Sequence, residues 1–179
     1  MEIAAAQREM RDVYLNGSVG TLVSGLLWIG SAVLGQWGTE RQAIIVLVFG
    51  GMFIFPIMRL LLKMMGRRAS LSPENPLRAL SMQVAFTVPL VLPVAGGAAL
   101  YELNWFYPAC MIIVGAHYLP FVTMYGLKLF GILGGAILAA GLIVGLYFAG
   151  SFTTGGWICG ATLLVFAALL GATRETAAD

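Results

Sequence analysis

Apolar residues run along this chain in six long stretches separated by short polar breaks, at 17–35, 42–62, 77–100, 105–125, 128–150 and 155–171. Each is close to the ~20 residues that an α-helix needs to cross a ~30 Å hydrocarbon core. Inside a bilayer no water is present to bond the backbone, so stretches of this length are expected to be helical from end to end. The breaks are short, which sets neighbouring spans antiparallel as hairpins. The pattern predicts an all-α integral membrane protein: a six-transmembrane-helix bundle with short loops, forming one domain over residues 1–179.

The residues ahead of the first span follow a different pattern. Ile3, Ala6, Met10, Val13 and Tyr14 recur at helical spacing, while Glu2, Glu9 and Asp12 fill the rest of the wheel. That predicts an interfacial amphipathic segment over residues 1–16, lying along the inner membrane surface. A signal peptide is not expected, because a positive leading region is missing and the apolar run after Asn16 is too long.

Composition narrows the class further. Of 179 residues, 60% are hydrophobic and 10% charged, against about a quarter charged in soluble domains. A soluble fold and a disordered chain are both excluded. A net charge of +2 gives no basic field for nucleic acid, so no nucleic-acid partner is expected. Cys110 and Cys159 lie inside apolar stretches and read as small apolar residues, not as a disulfide or metal site.

Charge position fixes orientation. With the N-terminus in the cytoplasm, the inner segments collect Arg8, Arg11, Arg59, Lys63, Arg67, Arg68, Arg78, Lys128 and Arg174, and the outer segments hold Arg41 alone. The positive-inside rule then predicts both termini in the cytoplasm, and the plasma (inner) membrane is the expected location. Trp37, Tyr101, Trp105, Tyr107 and Trp157 fall near the outer boundary, as an aromatic belt. Asn75-Pro76 reads as a capped helix start and Gly66 as a helix end.

Small residues mark where helices are expected to meet. Glycine occurs 23 times, well above the usual ~7%, and glycine faces let helices in lipid approach closely. Gly17, Gly20, Ser24, Ser31 and Gly35 form one stripe on span one. Gly131 with Gly135 and Gly141 with Gly145 do so on span five, and Gly156 with Gly160 on span six. These stripes predict bundle packing or homo-oligomer contacts. Pro56, Pro89, Pro93 and Pro120 lie within spans two to four and predict kinks there, since each removes a backbone donor. The spacing Gly51-x-x-x-x-Pro56 recurs as Gly115-x-x-x-x-Pro120, which suggests duplication of a helical hairpin.

Few residues could carry chemistry. His117 is the only histidine and sits at membrane depth, where an ionisable group marks a candidate functional site. A proton relay or ligand contact is one role, and a neutral ring bonded to a neighbouring helix is the other. Tyr118, Arg59, Gln83 and Thr87 complete a candidate polar lining for a substrate or proton pathway. Arg59, Lys63 and Arg67 follow four-residue spacing on one predicted helix face. Lys63, Arg67, Arg68 and Arg78 form a candidate patch for anionic lipid headgroups, at about 1 kcal/mol per charge.

Absences set limits on the reading. There is no histidine–carboxylate cluster for a metal, no Ser/His/Asp set and no glycine-rich phosphate loop. No cofactor is implied, and enzymatic activity is disfavoured. The expected function is a transporter or channel-like protein for a small solute, with a pathway among spans two to four. The alternative is a non-transporting scaffold or lipid-binding subunit, and a lipid-modifying enzyme stands behind both.

Overall fold

The computed structural model describes the backbone of residues 1–175 and the side chains of residues 1–173; the Arg174 side chain, counted above among the inner charges, lies outside the described residues. Regular structure among the described residues is helical throughout. The helices are α1 (Ile3–Tyr14), α2 (Ser18–Trp37), α3 (Glu40–Met64), α4 (Leu77–Tyr101), α5 (Phe106–Tyr125), α6 (Leu129–Tyr147) and α7 (Thr154–Glu175). Six stretches are long and apolar enough to cross a membrane: α1 and α2 taken together, and each of α3 to α7. The chain is an α-helical membrane protein.

Helix ends follow local chemistry. The Thr39 hydroxyl accepts from the Gln42 N–H at 3.2 Å, and the Gln42 side-chain oxygen accepts from the Thr39 N–H at 3.1 Å, closing a reciprocal cap on α3. The Asn75 side-chain oxygen accepts from the Leu77 N–H at 2.9 Å and starts α4. At the other end of α3, Gly66 turns left-handed (φ +70°), with its N–H on the Lys63 carbonyl and the Arg67 N–H on the Leu62 carbonyl. This paired bonding stops the helix. Arg67 therefore lies beyond α3, and the expected three-residue basic face reduces to Arg59 and Lys63.

Four helices make the core. Helix α2 packs along α7, α5 along α6, and α7 joins the two pairs; α3 lies on α2 and α4 on α5 as outer arms. Only 11% of the most apolar stretch of α3 or of α4 is buried, against 33% or more in the others. Pro56, Pro89, Pro93 and Pro120 fall inside α3, α4 and α5, which continue through them.

Close backbone approach holds the pairs together. A Cβ at Gly160 would meet the Ile29 backbone nitrogen at 3.0 Å, and one at Gly25 the Leu164 nitrogen at 3.1 Å. Between α5 and α6, a Cβ at Gly115 would lie 2.7 Å from the Leu138 nitrogen and 2.8 Å from the Gly134 carbonyl oxygen. Gly156 meets Tyr107 and Ala32, and Gly145 meets Pro108, whereas Gly135 faces open space. The Gly51 and Gly115 of the expected repeat are not equivalent. Gly51 also faces open space, because α3 is an arm and α5 is central.

One polar chain crosses this core. Ser31 on α2 donates to the Ala43 carbonyl of α3 at 2.8 Å, so the Tyr107 hydroxyl of α5 donates to Ser31 at 2.6 Å. Tyr107 is fully buried against Trp28, Phe106 and Phe152. It is thus a core residue, while Trp37 with Trp157 and Tyr101 with Trp105 pair at the end of the bundle away from α1.

The two classes of glycine separate cleanly in a test. Gly115→Ala should lower unfolding free energy in detergent by about 1–3 kcal/mol, the usual cost of overpacking. Gly135→Ala should be neutral or stabilising, because alanine favours helix and meets nothing there.

Candidate functional site

An apolar cleft lies between α4 and α5. Val84, Thr87 and Val91 line it from α4, and Ile112, Ile113, Ala116, His117 and Pro120 from α5, around a cleft of about 310 Å³. Its walls are almost wholly apolar. The Thr87 hydroxyl donates back to the Gln83 carbonyl of its own helix at 3.1 Å, a bond typical of hydroxyl side chains in helices. The His117 ring lies within hydrogen-bonding reach of the Val84 backbone of α4 and packs on Phe121 at 5.1 Å. Its Nδ1 is buried and has no hydrogen-bond partner among the described residues.

Not all of the expected lining gathers here. His117 and Thr87 share the cleft, and Gln83 is exposed on α4 one turn from Thr87. Tyr118 is buried in the core, stacked at 6.2 Å on Phe130 of α6 and beside Phe121. Adjacent residues on a helix point about 100° apart, so His117 and Tyr118 serve different neighbours. Arg59 belongs to α3, which does not border the cleft. Its guanidinium sits 5.8 Å over the Phe55 ring, and its buried Nε has no hydrogen-bond partner.

The basic end of the bundle is organised by α1. Its apolar face, Ala6, Met10, Val13 and Tyr14, is buried, so this helix docks on the bundle and not only on the membrane surface. Gln7 donates to the Thr123 carbonyl at 2.6 Å and Arg11 to the Tyr125 carbonyl, satisfying the open last turn of α5. Asn16, left-handed with Leu15 in the turn before α2, donates to the Leu170 carbonyl at 3.3 Å and to Thr173 at 3.1 Å on α7. Glu9 accepts from the Ser72 N–H at 2.7 Å, the Ser72 hydroxyl at 2.9 Å and the Asn75 amide at 2.8 Å. Helix α1 and the turn that follows it thereby tie α5, α7 and the α3–α4 loop together. Beside it, Asp12, Val13, Met65, Gly66, Arg67 and Arg68 enclose a shallow cleft of about 430 Å³. Lys63 and Arg78 of the expected lipid patch lie outside it.

Among the described residues no three His, Cys, Asp or Glu side chains gather as a metal site. A helical bundle with six candidate membrane spans, an apolar cleft between α4 and α5 and a basic end is the class that these observations define. The chain belongs to the family of unknown function DUF7010, whose model matches residues 3–173. No curated protein and no solved structure matches it.

The Glu9 tie predicts an acid-sensitive α1. Burial raises the Glu9 pKa, but the Asn75 and Ser72 hydrogen bonds and the charge of Arg68 outweigh it and leave the pKa below 4.5. A depressed folded-state pKa contributes stability that is present above the unfolded value and is lost as pH falls through the folded one. The protein should therefore lose thermal stability on acidification below pH 4.5, and Glu9→Gln should flatten that decline. Hydrogen exchange in α1 and the 65–76 loop should accelerate in the same variant at neutral pH.

Proposed function

We propose that this chain is a small transporter or channel-like protein whose solute enters the cleft between α4 and α5, with the pathway running among α3, α4 and α5. The observation that carries the reading is the buried, unpartnered Nδ1 of His117 beside that cleft. Leaving a polar atom unpaired in a low-dielectric interior is costly, and such sites persist where a ligand or water completes them. Apolar walls with His117 and Thr87 as the polar side chains of the lining suit a small, mostly apolar solute carrying one polar function. Pro120 lines the same cleft, and Pro89 and Pro93 lie on the facing helix. Kinks at these prolines and at Pro56 would let the arms α3 and α4 move without unpicking the glycine-packed core. The basic count supports a cytoplasmic side for α1 and both termini, in a bundle expected in the plasma membrane. Exposed apolar residues on the arms, among them Phe49, Phe53, Phe86 and Leu90, leave room for a homo-oligomer.

Thiol accessibility tests the reading without knowing the solute. In a chain with Cys110→Ala and Cys159→Ala, His117→Cys should react with a membrane-impermeant thiol reagent added from one side. Wild-type protein should stay unlabelled, because both native thiols are buried. Protection of position 117 from both sides would remove the transport reading in favour of a lipid-binding scaffold.

A further inference from the structure

The cleft at the basic end carries charges of both signs. Asp12 and Val13 line it from α1, and Met65, Gly66, Arg67 and Arg68 from the segment that follows α3, around about 430 Å³. Asp12, Arg67 and Arg68 share this space without pairing, since none of the three makes an ion pair among the described residues. Arg68 also acts on Glu9, but both Glu9 oxygens already accept hydrogen bonds from Ser72 and Asn75. A carboxylate and two guanidinium groups open to one cleft can each take a ligand group of opposite sign.

Local structure holds the two sides of the cleft in place. The left-handed Gly66 stops α3, so Arg67 and Arg68 leave the helix axis. Glu9 stands one turn before Asp12 on α1 and accepts from Ser72 at 2.7 and 2.9 Å and from Asn75 at 2.8 Å. These bonds fix the loop that carries both arginines against the helix that carries the acid. The surroundings favour a lipid as the ligand. Met65 is exposed beside the cleft, and Leu60 and Met64, one turn apart on α3 and also exposed, continue the apolar surface away from it toward the middle of the span. A charged cleft at the end of a span that gives onto apolar helix surface matches a phospholipid, with its headgroup in the cleft and an acyl chain along α3.

We propose that this cleft binds the headgroup of a phospholipid that carries a primary amine, with the phosphate on Arg67 and Arg68 and the ammonium on Asp12. A purely basic surface would favour the most anionic lipid present. Here a headgroup without an amine would leave Asp12 unpaired beside a second negative charge. The site is separate from the His117 cleft, and each can fail without the other.

The test reads lipid selectivity. Full-length protein is reconstituted with equal amounts of phosphatidylethanolamine, phosphatidylcholine and phosphatidylglycerol of one acyl composition, and the lipid that stays bound is read by native mass spectrometry. The protein should retain phosphatidylethanolamine over each of the others by about fivefold, the upper end for one exposed ion pair. Phosphatidylcholine tests the hydrogen bond, because its quaternary nitrogen keeps the charge and has no N–H for Asp12. Asp12→Asn should abolish the preference and raise phosphatidylglycerol retention, while Asp12→Glu should keep the preference. Arg67→Gln should lower retention of phosphatidylethanolamine and phosphatidylglycerol alike, and it serves as the test if Asp12→Asn fails to fold. A preference for phosphatidylglycerol in the unaltered protein, unchanged selectivity in Asp12→Asn, or full retention in Arg67→Gln would overturn the proposal. Binding of free O-phosphoethanolamine to delipidated protein as tightly as the lipid would overturn the assignment to a lipid.

Discussion

In hydrocarbon a polar group has no water to turn to, and that constraint shapes every part of this bundle. Thr21 and Thr162 return their hydroxyl protons to carbonyls four residues earlier. Ser31, Tyr107 and Ala43 close a chain across three helices. The free carbonyls at the end of α5 take protons from Gln7 and Arg11. Two buried side-chain atoms break the rule among the described residues, the Arg59 Nε and the His117 Nδ1. The proposed function grows from the second of these exceptions.

The exceptions occupy the same architectural zone. Glycines at 25, 115, 134, 141, 156 and 160 lock α2 to α7 and α5 to α6 by close backbone approach. Helices α3 and α4 lie outside that lock with most of their apolar surface uncovered. Arg59 rides on α3, and His117 faces the cleft that α4 closes. A rigid core with two lightly packed arms puts the unpaired groups where movement is least costly, since low packing density is what permits local rearrangement.

Much of this was legible in the sequence because hydropathy and helical rise are local properties. The six spans, the Asn75 cap and the Gly66 stop each follow from a handful of neighbouring residues. The role of α1 was only half legible: an amphipathic stripe at Ala6, Met10 and Val13 looks the same whether a membrane or a protein surface covers it. Tyr118 was placed with His117 by adjacency, but the 100° turn between them separates core from cleft. The basic spacing at Arg59, Lys63 and Arg67 ignored the left-handed Gly66 that ends the helix between the last two. Tyr107 sits two residues beyond Trp105 and is drawn into the core by a partner, Ser31, 76 residues away. Such long-range pairings leave no local signal.

The chain's single histidine allows the central claim to be tested directly. With ¹⁵N-labelled histidine and the protein in lipid bilayers, solid-state NMR can identify what lies within hydrogen-bond reach of the ring nitrogens. The account predicts that Nδ1 correlates with protons of water, lipid or a bound solute and with no polar proton of the protein. A correlation across a hydrogen bond from Nδ1 to a protein donor or acceptor would contradict it, and His117 would then be one more satisfied group in a packed bundle.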